Sequence, residues 1–213
     1  MIIGICGFIG SGKDTAADFL VNFHGFKRDS FAGTLKDAVA HIFNWDREML
    51  EGATASSREW REQRDDWWSE RLGREITPRY VLQYWGTEVC RHGFHDDIWI
   101  ASLENKLRNN RDNTVISDCR FPNEIQAIQN QGGIIVWVKR GELPHWYLQA
   151  VQANLGDPSA REVLHRQNIH VSETAWVGTR FDYELDNNGT IEELYATVKN
   201  LVVPVPASSL VYD

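Results

Sequence analysis

Residues 7 to 15, GFIGSGKDT, constrain the fold more than any other stretch. They follow an apolar run, IIGIC (2 to 6), of the kind expected for a strand buried on both faces. They lead into KDTAADFLVNF, where Thr15, Phe19 and Phe23 recur at helical spacing with Ala16 and Leu20 beside them. In a strand, glycine loop and helix so ordered, Gly7, Gly10 and Gly12 let backbone N–H groups approach a single anion at the helix N-terminus. Lys13 adds a mobile positive charge, so the stretch reads as a nucleotide-phosphate loop. The plainer reading is a strand-to-helix turn with Lys13 solvated. The usual pattern places a hydroxyl after the lysine, where it helps hold Mg²⁺; here Asp14 stands there and Thr15 comes one place late. An anion at that point favours the helix. A carboxylate can also reach the metal through water, and Thr15 is near enough to touch the α-phosphate side.

The rest of the chain supplies a parallel α/β frame. FAGTLKDAVAHIF (31 to 43) reads as a helix with Leu35, Val39 and Ile42 on one face and Lys36 off it. SSREWREQRDDWWSERLGRE (56 to 75) is dense in charge and tryptophan and looks helical, with Arg58, Arg61 and Arg64 three apart. Pro78 opens a further helix that Gly93 stops, and IWIASLENKL continues as helix. NTVISDCRF (113 to 121) is a strand ending at Asp118, NEIQAIQNQG an amphipathic crossover helix, and GGIIVWVKR (132 to 140) a strand ending at Lys139 and Arg140. Strand, crossover and strand argue for a parallel sheet. Residues 141 to 180 are polar and lack strong strand character, as expected of an inserted lid over about 141–175. YELDNNGTIEELYATVKNLV gives a short strand, a turn, and a helix whose Thr190 and Glu193 form a capping box. The final ten residues, PVPASSLVYD, read as a tail.

At 213 residues the chain suits one domain, here a P-loop NTPase-type parallel sheet flanked by helices on both faces, with a substrate-side helical region over about 44–100. A net charge of −8 argues against nonspecific binding to duplex nucleic acid or to an anionic membrane. Three scattered cysteines without a CxxC indicate neither a disulfide framework nor a zinc ribbon, and a reducing cytoplasm fits. The N-terminus is a poor signal peptide, and no run approaches a membrane span. Cys90, His92, His95, Asp96 and Asp97 fit no metal motif. The nine tryptophans leave room for a homodimer.

An enzyme that moves phosphate onto a phosphorylated acceptor must bring two anions together. Two terminal phosphates of about −2 each, about 5 Å apart, repel by roughly 13 kcal/mol at an effective dielectric of 20. Several cations must surround them, and the sequence offers Lys13, Lys36, Arg58, Arg79, Arg91, Arg120 and Arg140 on separate elements. Arg120 is the most telling, because it lies just past a strand end beside Asp118, at the carboxyl edge of the sheet.

SGKDTAADF, FAGTLKDA, LQYWGTE, FHDDIW, SDCRFPNE, GGIIVWVKR, HVSETAW and NNGTIEEL, in this order, span most of the chain. Together they resemble the tailed-phage deoxynucleoside monophosphate kinases, for which SGKDT with its displaced threonine is the family's own form of the loop. The resemblance implies that Gly10, Ser11, Gly12, Lys13, Asp14 and Thr15 hold ATP phosphates, with Mg²⁺ carried on those phosphates. It implies that Lys36, Arg58, Arg79, Gly86, Thr87 and Trp99 shape the monophosphate site, together with Asp118 and Arg120. Arg140, Arg161 or Arg166 would close over ATP, and Asn188 and Gly189 would lie against adenine. In the expected transfer, Lys13 and Mg²⁺ bridge the β- and γ-phosphates while Arg79, Arg120 and Lys36 hold the acceptor phosphate in line. Some relatives carry basic residues inside the loop; here Phe8, Ile9 and Gly10 are uncharged, which leaves base preference open.

Each assignment has a plainer counterpart. Arg79 and Arg58 can pair with Glu75 and Glu62, Trp99 can be core rather than a base-stacking residue, and Asp118 can be a helix cap. Two rival activities stand beside the kinase: phosphorylation of another small phosphorylated acceptor, dephospho-coenzyme A being the nearest, and nucleotide binding without turnover.

Overall fold

The structure, a computed structural model, describes residues 1–202; the expected tail lies outside the described residues. Strands β1 (Ile2–Cys6), β2 (Lys27–Asp29), β3 (Thr114–Ile116), β4 (Ile134–Lys139) and β5 (Tyr183–Asp186) form one sheet in the order β2-β3-β1-β4-β5. Every pairing is parallel, with Ile3 opposite Val115 on one side and Ile134 on the other. Alternation along β1 sorts the two faces. Ile3 and Ile5 pack with Ala16, Ala17 and Leu20 of α1 (Lys13–His24) and with Leu194 and Val198 of α12 (Ile191–Val202). Gly4 points the other way, where a Cβ would crowd Ile128 of α8 (Pro122–Asn130) and Cys119. Parallel strands buried on both faces read as continuous apolar runs, as β1 and β4 do.

Strand β2 has no apolar signal. Its sequence, KRD, is an edge strand of three residues, exposed on one flank and paired only with β3, so backbone pairing rather than side-chain burial defines it. Strand β3 stops at Ile116, two residues short of Asp118, which therefore lies in the loop beyond the sheet edge.

The chain divides into two compact units, one of residues 1–29 with 107 onward and one of residues 30–106. The second unit is helical: α2 (Gly33–Phe43), α3 (Arg47–Glu51), α4 (Ala55–Glu62), α5 (Asp66–Leu72), α6 (Pro78–Tyr84), a π-helical turn (Trp85–His92) and most of α7 (Ile98–Asn109). Its core gathers Leu35, Val39, Ala40, Phe43, Leu50, Ile76, Val81 and Trp99. The buried arc of α2 thus passes through Val39 and Phe43 and leaves Ile42 on its exposed edge, one position from where helical spacing puts it. Phe23 of α1 is likewise exposed. The tryptophan-rich stretch is two short helices rather than one, because Asp65 caps a new start by accepting the Trp68 N–H at 2.9 Å. Trp45, Trp60 and Trp68 surround Phe43 and the neighbouring core.

In the first unit, residues 141 to 180 fold into α9 (Tyr147–Asn154), α10 (Pro158–Arg166) and α11 (Val171–Thr174). Ala150, Ala153, Ala160, Leu164, Trp176 and Val177 bury themselves there. No helix of the described residues is long and apolar enough to cross a membrane.

Candidate active site

The phosphate loop joins the carboxyl end of β1 to α1. Gly10 (φ 80°) and Gly12 (φ 97°) take left-handed backbone that only glycine adopts without strain. The Phe8 carbonyl accepts both the Ser11 N–H at 3.1 Å and Lys13 Nζ at 2.9 Å, which folds the loop around one concavity. Gly12 offers no side-chain cap, so the first-turn N–H groups of α1 remain available to an anion. Burial pushes the Lys13 ammonium below its ordinary value, Asp14 and Glu173 oppose that, and Arg120 adds to it.

Two supports hold the loop from outside. Asn187, just past β5, donates from Nδ2 to the Ser11 carbonyl at 2.8 Å and is itself buried. A Cβ at residue 12 would collide with that carboxamide, so Gly12 is demanded by close approach as well as by φ. On the other side the Phe8 ring packs on Trp146 (5.4 Å), Tyr147 (6.2 Å) and Trp176 (4.7 Å), which ties the loop to α9 and to the segment after α11. The uncharged residue in the loop is an aromatic anchor.

Asp14 is exposed, and its Oδ1 accepts from Ser117 Oγ at 3.1 Å while Arg28 stands 3.6 Å away. A carboxylate and a hydroxyl oxygen side by side match the hard oxygen donors that Mg²⁺ takes, usually with waters and substrate phosphates completing its shell. The loop after β3 is fixed by Glu124, a buried carboxylate that accepts from the backbone N–H of Arg120 (2.8 Å) and of Phe121 (3.1 Å). Arg120 then extends its guanidinium to Glu173 of α11 at 3.4 Å. Thus Lys13, Asp14, Arg120 and Glu173, with Ser117 on Asp14, form one polar cluster in the first unit.

Arg140 and Asn188 line a cavity of about 300 Å³ with Phe8, Trp137, Gly141 and Asp186. Asn188 is locked there, accepting from the Gly141 N–H at 2.7 Å and donating to Asp186. Arg161 instead donates to the Ala153 carbonyl and Arg166 pairs with Glu162 on its own helix.

The remaining expected site residues belong to the second unit. Lys36 is bound to Glu51 at 2.5 Å, and Arg47 bridges Glu51 and Asp37. Burial alone would push the Glu51 carboxyl up, but the hydrogen bonds from Lys36 and Arg47 outweigh it and hold the group below its ordinary range. Arg58 donates to the Ala53 carbonyl at 3.3 Å, and Arg79 stands 3.6 Å from Glu62, so Glu62 serves Arg79 rather than Arg58. Gly86 is buried in the π-helical turn, with Leu35 filling the space of a Cβ, and Thr87 beside it is exposed. Trp99 is a core residue here, 9% exposed, its Nε1 donating to the Gly86 carbonyl at 2.9 Å.

Sequence reasoning alone leaves out Glu173, Asn187 and Ser117. Asn187 sits beside the expected Asn188; for Glu173 and Ser117 only the folded chain gives the signal.

No family model matches the chain. Among solved structures, TT1252 from Thermus thermophilus aligns with 94% of this chain and 95% of its own at 18% identity, with a TM-score of 0.47. Shikimate kinase from Aquifex aeolicus aligns with 93% and 94% at 11% identity, with a TM-score of 0.43. A deoxynucleoside-5'-monophosphate kinase of Escherichia phage T5 is 42% identical over 55 residues, 25% of this chain and 22% of that one. A protein of Acanthamoeba polyphaga mimivirus named as a deoxynucleotide monophosphate kinase is 31% identical over 216 residues, covering 95% of this chain and 96% of that one. Similarity over nearly the full length of both chains, joined to a glycine loop on a parallel sheet, means that this chain belongs to the deoxynucleoside monophosphate kinase family.

Proposed function

We propose that the protein transfers the γ-phosphoryl group of ATP to a deoxynucleoside monophosphate, with Mg²⁺, in the synthesis of DNA precursors. The observation that carries this reading is the preformed anion nest of the glycine loop in the first unit, in a chain of this family; the second unit supplies a separate set of cations. Gly10 to Thr15 would receive the phosphates of ATP, with Arg140 and Asn188 at the nucleoside end. Lys36, Arg58 and Arg79 would receive the monophosphate, with Gly86 and Thr87 shaping its surroundings. Trp99 would act from the core, by fixing the Gly86 carbonyl.

An oxygen of the acceptor phosphate attacks the γ-phosphorus, a new P–O bond forms, and the bond to the β,γ-bridging oxygen breaks to leave ADP. The attacking oxygen is already ionised, so Asp118 need not serve as a strong base. Positioning and charge stabilisation carry the rate. Lys13 would leave the Phe8 carbonyl for the bridging region, and Arg120 would leave Glu173 to meet charge on the moving phosphoryl group. Asp14 and Ser117 would hold the metal, directly or through water. Bound there, Mg²⁺ neutralises charge on the phosphates.

The test is coupled ADP release with ATP and Mg²⁺ and each deoxynucleoside monophosphate in turn, beside the ribonucleotides and dephospho-coenzyme A. Stimulation by one or more deoxynucleotides is expected. Stimulation by dephospho-coenzyme A alone, or ATP binding with no stimulated turnover, would overturn the reading.

A further inference from the structure

A carboxylate where the usual phosphate loop has a hydroxyl carries a charge of the wrong sign for a phosphate ligand. Asp14 and Asp18 lie four residues apart on α1, so their carboxylates stand on one face of the helix and repel each other as well as an incoming anion. The fold brings a guanidinium to that face. Arg28, the middle residue of β2, donates from Nη2 to the Asp14 carbonyl at 3.1 Å. The same nitrogen stands 3.6 Å from Asp14 Oδ1, and Nη1 stands 3.4 Å from Asp18 Oδ1. Lys27 and Asp29 alternate to the other side of the strand, and Lys27 pairs with Asp112.

The contacts on Asp14 differ in kind. At 3.1 Å its carbonyl accepts a hydrogen bond from Arg28, whereas at 3.6 Å its carboxylate is in ion-pair range without one. Arg28 therefore offsets the charge of Asp14 and leaves the carboxylate free to turn. Exposure agrees with that division: the Arg28 side chain, at 38%, is lodged against α1, while the Asp14 side chain, at 77%, is open to a ligand.

We propose that Arg28 is a positioning residue that lets a loop carrying Asp14 accept nucleotide phosphates, by offsetting the carboxylate's charge while no metal is bound and becoming dispensable when Mg²⁺ is. The assignment rests on the nucleotide-binding part of the reading above and holds whichever acceptor takes the phosphate. A bound divalent cation is the largest local charge in such a site, so Arg28 and Mg²⁺ serve one carboxylate in turn. A protein without Arg28 then gains more from the metal than the wild type does. An arginine that merely tied β2 to α1 would, when lost, weaken binding alike with and without metal.

The experiment measures the dissociation constant of ADP by calorimetry, in EDTA and in saturating Mg²⁺, for the wild type, Arg28→Gln, Arg28→Lys, Asp14→Asn and the double variant Asp14→Asn/Arg28→Gln. Thermal midpoints of the ligand-free proteins are recorded beside them. In EDTA, Arg28→Gln should weaken ADP binding by about two- to fivefold, the range of a partly exposed ion pair. With Mg²⁺ the loss should shrink below about twofold, and Arg28→Lys, which keeps the charge, should stay within about twofold of wild type in both conditions. In the Asp14→Asn background the loss of Arg28 should have no further effect in EDTA. Equal weakening in EDTA and in Mg²⁺, equal weakening in both backgrounds, or no change in Arg28→Gln overturns the role of Arg28; beside an active wild type, each of these leaves the kinase reading standing. The expected ADP pattern in a protein with no acceptor-stimulated turnover sustains Arg28 and overturns the kinase reading. A wild type that binds no ADP in either condition overturns both.

Discussion

The phosphate loop around Lys13 presents backbone N–H groups and one ammonium, whereas α3, α4 and the start of α6 present side-chain guanidinium groups. The loop's shape is fixed by neighbours that never need to touch a ligand. Asn187 holds the Ser11 carbonyl, and the Phe8 ring packs on Trp146, Tyr147 and Trp176. The arginine region takes its geometry from ion pairs among Lys36, Arg47, Glu51, Arg79 and Glu62, many of them at the surface. A backbone site is rigid before its ligand arrives, while a site of long side chains must be ordered by the ligand. The difference suits a constant donor bound in one place and an acceptor whose phosphate is its constant feature.

The largest effect should come from Lys13, the loop side chain proposed to meet the transferred group. Lys13→Ala is expected to lower turnover about a thousandfold, the upper range for a single charge-stabilising donor, as read by coupled ADP release. Breaking the scaffold should cost less and fall on ATP. Gly12→Ala forces a Cβ into left-handed backbone and into Asn187, so ATP KM should rise by about tenfold to a hundredfold. Glu173→Gln should act in the reverse sense. It frees Arg120 from a partly exposed partner, and ATP KM should fall by about two- to fivefold at low salt, with the difference fading as salt rises.

The smallest effect concerns the ion pairs of the arginine region. The folded carboxyl of Glu51 lies below its unfolded value of 4.5, so its stabilisation is present above that value and is lost as pH falls through the folded one. The gap in urea midpoint between wild type and Glu51→Gln should therefore be open at pH 6 and narrow steadily below about pH 4.5. A gap that widened on acidification would contradict the pairing.

The same contrast explains what can be read from the chain before it folds. Residues 7 to 15 are legible because a backbone nest needs glycines at fixed places, between a strand and a helix that announce themselves by periodicity. The capping box at Thr190 and Glu193 is local and legible for the same reason, and it forms, with Glu193 accepting the Thr190 N–H at 2.7 Å. Strand β2 escapes notice because an edge strand of Lys, Arg and Asp has no buried side to pattern it. Asn187 and Glu173 escape because their meaning lies in partners 176 and 53 positions away in the chain: the Ser11 carbonyl and Arg120. Ile42 misleads because Leu35 sits at one edge of the buried arc, which runs on through Val39 and Phe43 and leaves Ile42 just beyond that edge.

The division of labour between backbone nest and arginine region is tested most directly by measuring KM for ATP and for the acceptor in Asn187→Ala, Arg79→Gln and the double variant. Asn187→Ala should raise only the ATP KM and Arg79→Gln only the acceptor KM, with the double variant showing both effects at their separate sizes. Both constants rising together in either single variant would mean that the two regions do not bind separate phosphates, and the account would fail.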